Sequence, residues 1–203
     1  MSTEARTTET RRYRKRQRAA QELRTRQAIT EAAVKLYGMV GPARTTVSGI
    51  AKEAGVQRAT VYRHFPDEET LFQACSSHYA SMHPPPDPSP WAEIRDPGRR
   101  LRGALSALYR WWEETEDMMF LVLRDAPLID GMSAPVEAGR AYLDEVRRTL
   151  LRGRPERGNS RARVTAAIGH AIAFSTWRSL VREQGVTHDE AVTLMAGMVE
   201  RAG

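Results

Sequence analysis

The 203-residue chain is poor in cysteine and has no long apolar run. Its single cysteine, Cys75, excludes an intrachain disulfide and a cysteine-rich zinc site, and it fits a reducing cytoplasm. The longest obvious apolar run, Met118–Leu123, is far shorter than a membrane span. The first residues carry charge without an apolar segment, so we expect no secretory signal. The sequence therefore predicts a cytoplasmic protein with no membrane partner.

Positive charge is concentrated at the N-terminus. Residues 1–66 contain 14 lysines and arginines against 5 aspartates and glutamates, whereas residues 67–203 contain 17 against 20. The first third is thus strongly basic and the rest is slightly acidic. Such an asymmetry indicates a polyanionic partner for the first third, and nucleic acid fits best, although a solvated basic tail gives the same count.

Helical periodicity without strand-like alternation predicts an all-α fold of about nine helices. Residues 1–20 have no apolar period and are predicted to form a flexible basic arm. The proline-rich stretch 83–90 and the loop 152–159 are predicted to be irregular connections. A fourth helix is predicted to start at Asp67, and the others cover approximately 23–40, 47–54, 58–64, 97–114, 117–124, 135–151, 160–184 and 188–201.

Residues 45–65 have the layout of a helix-turn-helix, with two short amphipathic helices joined at Gly55. The preceding helix completes a small core through an apolar face at a 3.6-residue period, formed by Ile29, Ala33, Leu36, Tyr37 and Val40. Arg58, Thr60 and Arg63 then face away from this core. Because Arg can bond guanine and Thr can bond a base or touch a thymine methyl, the pattern predicts binding in a DNA major groove.

This segment resembles the DNA-binding signature of the TetR family of bacterial one-component repressors, over about residues 26–72. The matching positions are Thr45-Thr46-Val47, Ile50-Ala51, Ala54-Gly55-Val56, Ala59-Thr60-Val61-Tyr62, His64-Phe65-Pro66 and Leu71-Phe72. After the basic arm predicted at 1–20, the resemblance implies a helix-turn-helix DNA-binding domain at 21–66 and an effector-binding and dimerisation domain at 67–203. It also implies a homodimer that forms through the last two helices.

The residues expected at the DNA combine the outward face of the recognition helix with positions that the resemblance assigns to phosphate contacts. They are Arg44, Thr46, Gln57, Arg58, Thr60, Tyr62, Arg63 and His64. Two positions depart from the family pattern. Glu68 stands where many members have a phosphate-clamping lysine, and Gly49 stands where an acidic residue is common. We expect the basic run Arg11–Arg18 to compensate for the missing lysine, because such arms follow the DNA backbone or enter a minor groove.

Aromatic and methionine side chains at helical spacing either line an apolar cavity or form plain core in the C-terminal part. The candidate ligand-binding residues are Tyr109, Trp112, Met119, Phe120, Phe174 and Trp177. The last two helices each carry an apolar set that predicts packing on both sides, formed by Val164, Ile168, Ala171 and Ile172 and by Val192, Met195, Ala196 and Val199. We find no catalytic constellation, metal-ligand cluster or cofactor motif, so no catalytic residue, metal or cofactor is expected.

Together these features favour a dimeric transcriptional repressor that is released from a palindromic operator by a small hydrophobic effector. Half-sites roughly one helical turn apart, about 34–36 Å, would suit its two-fold symmetry. Two other classes stay open. One is a helical enzyme acting on a hydrophobic substrate, supported only by the Trp and Met cluster. The other is a sequence-independent DNA-coating protein, supported by the basic arm.

Overall fold

A computed structural model gives the backbone of residues 2–203 and the side chains of residues 12–129 and 131–203. Within these residues the fold is all-helical, as predicted, and none of the helices is both long and apolar enough to cross a bilayer. The α-helices are α1 (Ser2–Val40), α2 (Val47–Glu53), α3 (Arg58–His64), α4 (Glu68–Met82), α5 (Ser89–Ala92), α6 (Pro97–Glu114), α7 (Glu116–Asp125), α8 (Ser133–Leu150), α9 (Gly158–Ala171), α10 (Phe174–Arg178) and α11 (His188–Arg201).

Local capping signals set several helix ends where the sequence predicts them. Asp67 caps α4, because its carboxylate accepts a hydrogen bond from the Thr70 backbone N–H at 2.7 Å. Thr187 and Glu190 form a capping box at the start of α11, in which the Thr187 N–H donates to the Glu190 carboxylate at 2.8 Å. Gly55, with a φ of 66°, makes the tight turn after α2.

α1 is much longer than predicted, because it begins at Ser2 rather than near Leu23. Residues 2–20, predicted to form a flexible arm, continue this helix, and Met1 lies outside the described residues. The side chains of residues 12–20 are all exposed, so this part of α1 packs on no core. Its helical form follows instead from a composition of mostly Arg and Ala, with one Lys and one Gln, which are all good helix formers.

The helix predicted over 160–184 is interrupted after Ala171, and α10 starts afresh three residues later. Two buried donors satisfy the carbonyls that the interruption frees. The Tyr109 hydroxyl donates to the Ala171 carbonyl at 2.9 Å, and the Trp112 indole N–H donates to the Ile172 carbonyl at 3.3 Å. The interruption is therefore a tertiary feature that periodicity within the helix could not reveal.

Buried side chains form two cores. The first core is built from α1 to α4, with Met132 from the turn before α8, and includes Ile29, Tyr37, Ile50, Val61, Phe65, Leu71, Phe72 and Cys75. It continues past the predicted domain boundary at residue 66 into α4. Burial raises the pKa of the Cys75 thiol to about 12, so the thiol stays protonated at neutral pH and packs as a core side chain. The second core is built from α5, α6 and α8 to α11.

α7 connects the two cores. Met118 and Val122 of this helix pack against the first core, whereas Met119 packs against the second. Ala126 and Ile129, in the turns that follow α7, also pack on the first core. The core of the N-terminal helices is therefore completed by residues that come much later in the chain.

Candidate nucleic-acid interface

α2 and α3 form the predicted helix-turn-helix. Across the turn the Val56 N–H donates to the Ala51 carbonyl at 2.9 Å, and Gly55 supplies the positive φ. Ile50 and Val61 are almost fully buried and hold the two helices on α1. Because these apolar contacts occupy the inner faces, the polar side chains of α3 are left on the outside.

The start of α2 presents two of the predicted DNA-binding residues. Thr46 is exposed, and its hydroxyl oxygen caps α2 by accepting a hydrogen bond from the Gly49 N–H at 3.0 Å. Since a hydroxyl that accepts keeps its own hydrogen, Thr46 can still donate to a phosphate oxygen. Arg44 is also exposed and ends the short 3₁₀ turn that precedes α2. Both side chains are therefore accessible at the start of α2.

α3 projects polar side chains away from the first core. Gln57, Arg58, Tyr62 and Arg63 are exposed, and Thr60 is half-buried. The Arg58 guanidinium donates to the Tyr62 hydroxyl at 2.9 Å and lies over its ring, 5.4 Å from the centroid. Arg63 makes no hydrogen bond or ion pair with other described residues. On the outer face of α3, Arg58 and Tyr62 are thus already paired with each other, whereas all the donors of Arg63 are available.

His64 is less accessible than its neighbours on α3. Its ring is half-buried, and its Nε2 atom has no hydrogen-bond partner within the described chain. Its carbonyl accepts a hydrogen bond from Arg26, whose guanidinium lies 4.0 Å from the centroid of the Phe65 ring. Burial, together with the charges of Arg63 and Arg26, lowers the pKa of His64 below its ordinary value of 6.5. At neutral pH the imidazole is therefore uncharged and can give DNA a hydrogen bond but no positive charge.

A carboxylate from α7 anchors the turn that leads into α2. Asp125 is only 2% exposed and accepts a hydrogen bond from the Ala43 backbone N–H at 3.0 Å. Arg124 donates to the same carboxylate at 2.6 and 3.0 Å, and also to the Val40 carbonyl at 3.3 Å. The hydrogen bonds from Arg124 are the main cause that lowers the pKa of Asp125, so the group is ionised at neutral pH. We call these contacts of Asp125 and Arg124 the α7 anchor.

Gly41 allows the side chains of Asp125 and Arg124 to lie close to the backbone of the turn before α2. Its backbone has a φ of 91° and a ψ of 156°, a conformation that is essentially restricted to glycine. A Cβ at this position would lie 2.3 Å from an Asp125 carboxylate oxygen and 2.5 Å from an Arg124 nitrogen. The sequence identifies Gly41 only as a helix stop. Asp125 lies 82 residues from Ala43, so no local pattern connects the two.

The candidate ligand-binding residues do not share one environment. Four of them are buried in the second core, namely Tyr109, Trp112, Phe174 and Trp177. The Phe174 ring centroid lies 5.5 Å from that of Trp112 and 5.6 Å from that of Trp177, so the aromatic rings pack directly on one another. Met119 packs at the margin of this core. Phe120 is 39% exposed and lies under the Arg178 guanidinium, outside the aromatic cluster.

The apolar residues that predicted an interface on the last two helices are all buried within the chain. They are Val164, Ile168, Ala171 and Ile172 of the α9 region and Val192, Met195, Ala196 and Val199 of α11. They belong to the second core, which is their own subunit's core, and so they do not show a second apolar face. The exposed positions of these helices carry small side chains such as Ala162 and Ala166 and one large apolar residue, Leu194. They also carry charged or polar side chains, including Arg163, His170, Glu200 and Arg201.

Residues 29–75 match the family model described as "Bacterial regulatory proteins, tetR family". The HTH-type transcriptional regulator AcrR of Shigella flexneri is 44% identical over 59 residues, which make up 29% of this chain and 26% of AcrR. The match thus spans about a quarter of that relative's length.

Solved structures extend the likeness to most of the fold. The TetR family transcriptional regulator PfmR from Thermus thermophilus superposes with a TM-score of 0.59 at 20% identity, covering 85% of this chain and 97% of PfmR. AibR, solved in complex with isovaleryl coenzyme A and operator DNA, superposes with a TM-score of 0.62 at 16% identity, covering 86% of this chain and 97% of AibR.

The fold and the exposed face of α3 define a helix-turn-helix DNA-binding protein that carries a second, larger helical domain. The segment that matches the tetR family model, residues 29–75, contains both helices of this helix-turn-helix. AcrR and PfmR are transcriptional regulators rather than enzymes, in agreement with the class that the sequence predicts.

Proposed function

We propose that the chain is a homodimeric transcriptional repressor that binds a palindromic operator through α3 and leaves it when a small hydrophobic effector binds the second core. The observation that carries the proposal is the exposed polar face of α3, which lies inside the segment that matches the tetR family. A helix of this kind places Arg and Thr side chains against base edges in the major groove, while neighbouring hydroxyls bind phosphate.

In this proposal the roles within the helix-turn-helix follow from accessibility. Arg63 and Gln57 read base edges, since both are exposed and Arg63 has all of its donors available. Thr46 and Tyr62 donate to phosphates on either side. His64 assists with a single neutral hydrogen bond, because its pKa is lowered.

The proposed dimer uses the outer sides of α9 and α11. Ala162, Thr165 and Ala166 of α9 are small side chains that allow the partner's helices to approach closely. On α11 the Arg201 guanidinium lies beside Gly197, and Leu194 is the large apolar side chain, 47% exposed. A two-fold axis would bring Leu194 of each subunit into a shared interface. Two recognition helices per particle then require an operator with two half-sites.

The proposed effector enters the aromatic part of the second core. Trp112, Phe174 and Trp177 are closely packed, so an apolar ligand would have to separate these rings and would contact their faces. AibR, which has the same fold, binds isovaleryl coenzyme A and operator DNA, and this supports a ligand for the present chain as well.

α7 is suited to transmit the effector's presence to the DNA. It contacts the second core through Met119, the first core through Met118 and the entry to α2 through Asp125. A ligand that displaces α7 therefore changes the α7 anchor and the position of α2 and α3. By linkage, operator and effector must then weaken each other's binding by the same factor.

Replacing Arg63 with alanine tests the proposed base contact. We expect the operator affinity to fall by about 1–3 kcal/mol, because one arginine contact to a base or phosphate is lost, with no change in folding. The measurement is a gel shift on an operator selected from random DNA, with the melting temperature checked by circular dichroism.

Arg110→Ala is the matched control for this experiment. Arg110 is exposed on α6 and bonds only its own helix, through the Ser106 carbonyl, among the described residues. The Arg110→Ala substitution should leave DNA affinity unchanged. A folded Arg63→Ala protein with normal affinity would remove Arg63 from the site. Diffuse protection in a footprint, instead of one short palindrome, would favour a DNA-coating protein over a repressor.

Deleting residues 1–18 tests the basic start of α1. The basic residues of this segment with described side chains are all exposed, and they point to all sides of the helix, so about half can face one DNA backbone. Each phosphate contact adds about 0.9 to the slope of log affinity against log salt, so the slope should flatten by about two to three units. The selected operator sequence should not change, since the base-reading residues lie in α3.

Two charge variants show which side of α1 faces the DNA. Arg12, Lys15 and Arg16 share one face of the helix, and Arg14 and Arg18 share the opposite face. Changing the set that faces the DNA to glutamine should flatten the salt slope almost as much as the deletion does. Changing the other set should leave the slope nearly unchanged. An unchanged salt slope in the deletion itself would mean that the segment does not contact DNA and does not compensate for Glu68.

A further inference from the structure

The loop between α8 and α9 carries a dense cluster of arginines in the otherwise acidic C-terminal part of the chain. A surface cavity of about 400 Å³ opens there, lined by Leu151, Arg152, Gly153, Arg154, Pro155, Arg157 and Arg161. Glu156 is the only acidic residue among residues 151–161. Four arginines against one glutamate leave the cavity with a clear excess of positive charge.

Arg154 is the most unusual member of this cluster, because it is buried to more than nine-tenths. Its Nε donates to the Leu150 carbonyl at 3.3 Å, and its Nη1 lies 3.6 Å from a Glu156 carboxylate oxygen. Its Nη2 has no hydrogen-bond partner within the described chain. A buried guanidinium donor without an acceptor is costly, and the charge of Arg154 adds to the positive potential of the cavity above it.

The start of α9 lies beside the same cavity. α9 is 14 residues long and begins at Gly158, and no described side chain caps it. Arg157 and Arg161, which line the cavity, stand on either side of its first turn, whose N–H groups have no partner within the helix. An uncapped helix start of this length attracts anions through its free N–H groups and its dipole.

The remaining charges around the loop agree with an anion site. Arg100 is buried nearby and donates to the Thr149 and Arg152 carbonyls. Burial, and then the charges of Arg154 and Arg152, lower its pKa. Arg157 donates to three carbonyls of the loop and so holds it in shape, whereas the side chains of Arg152 and Arg161 make no hydrogen bond or ion pair with described residues. The loop is thus held in place by Arg157, and the guanidinium groups of Arg152 and Arg161 remain available to bind an anion.

We propose that this cavity binds the phosphate group of a small molecule, held by the free guanidinium groups of Arg152 and Arg161 and attracted by the charge of the buried Arg154 and the dipole of α9. Guanidinium forks match phosphate oxygens with paired hydrogen bonds, and several of them suit a group with more than one negative charge. The volume exceeds that of a lone ion and leaves room for the rest of a phosphorylated ligand. The site is independent of the proposed repressor function, because neither α3 nor the aromatic core takes part in it.

The test is calorimetric titration of the full chain with inorganic pyrophosphate at fixed ionic strength, in the absence of DNA. We expect saturable binding of one pyrophosphate per chain. Arg152→Gln with Arg161→Gln should raise the dissociation constant by about tenfold for each arginine removed. The control pair Arg110→Gln with Arg148→Gln removes the same charge from exposed helix positions outside the cavity, and it should leave the dissociation constant unchanged.

Three results would overturn the proposal. The first is the absence of saturable heat with the unaltered chain. The second is an equal loss of affinity in the control pair, which would mean that the chain attracts anions only through its net charge. The third is equally tight binding of citrate, which would mean that the cavity does not select phosphate. Backbone amide shifts on the unaltered chain give an independent check, because pyrophosphate should move the signals of residues 151–161 first.

Discussion

Glutamate in place of Leu194 should leave the chain folded but monomeric, and should weaken operator binding by about a hundredfold or more. Leu194 is 47% exposed on α11 and lies at the centre of the proposed dimer interface. An unpaired charge buried there would cost about 3–5 kcal/mol, which is more than two factors of ten in the dimerisation constant. Because a monomer reaches only one half-site, specific binding should be lost with the dimer. Analytical ultracentrifugation and a gel shift measure the two effects.

Leu128→Glu is the matched control for this substitution. Leu128 is 74% exposed in the turn after α7, away from the last two helices along the chain. The Leu128→Glu protein should remain dimeric and bind the operator with normal affinity. A dimeric Leu194→Glu protein with normal affinity would place the interface elsewhere. Deleting α11 would not test the interface, because this helix supplies five buried residues to the second core and its loss would unfold the domain.

Alanine at position 41 should destabilise the protein by about 2–4 kcal/mol, since it adds backbone strain and overlaps the Asp125 carboxylate. For a chain of this size the melting temperature should fall by about 6–12 °C. Operator binding should also weaken, because the turn that positions α2 must shift. Thermal unfolding followed by circular dichroism, together with a gel shift at a temperature where the variant is folded, measures both effects.

A double-mutant cycle separates strain from overlap at Gly41. Gly185→Ala, at a φ of 71° with no atom within 4 Å of the added Cβ, gives the cost of a Cβ at positive φ without overlap, which sets a lower bound on the strain at Gly41. Combining Gly41→Ala with Asp125→Ala should cost less than the two single changes together, because the second change removes the atoms that the first one meets. Strict additivity would show that the carboxylate does not constrain position 41.

The DNA-binding part of the fold was predictable because its signals are local. Thr46, Gly55 and Asp67 each act within a few residues of their own position, and the apolar periods of α1 to α3 are short and clear. The bounds of α3 follow the prediction as a result. The functional assignment of individual side chains on α3 stays a prediction, since exposure makes a contact possible without showing it.

The sequence did not predict those local structures that depend on residues far away along the chain. The interruption after Ala171 depends on donors from Tyr109 and Trp112, about 60 residues earlier. Asp125 acquires its role only when α7 meets the turn before α2. The start of α1 is a different kind of error: the lack of an apolar period suggested an irregular arm, whereas intrinsic helix propensity was the relevant signal.

Because α7 fills part of the first core and anchors its entry turn, the DNA-binding helices are not an exchangeable module. A chimera that takes residues 1–82 from another regulator would inherit a core surface shaped for a different α7, and it would lack a counterpart to Asp125 unless that residue were transplanted too. Engineering a regulator with new operator specificity from this chain is therefore better done by changing side chains on the outer face of α3 than by exchanging the domain.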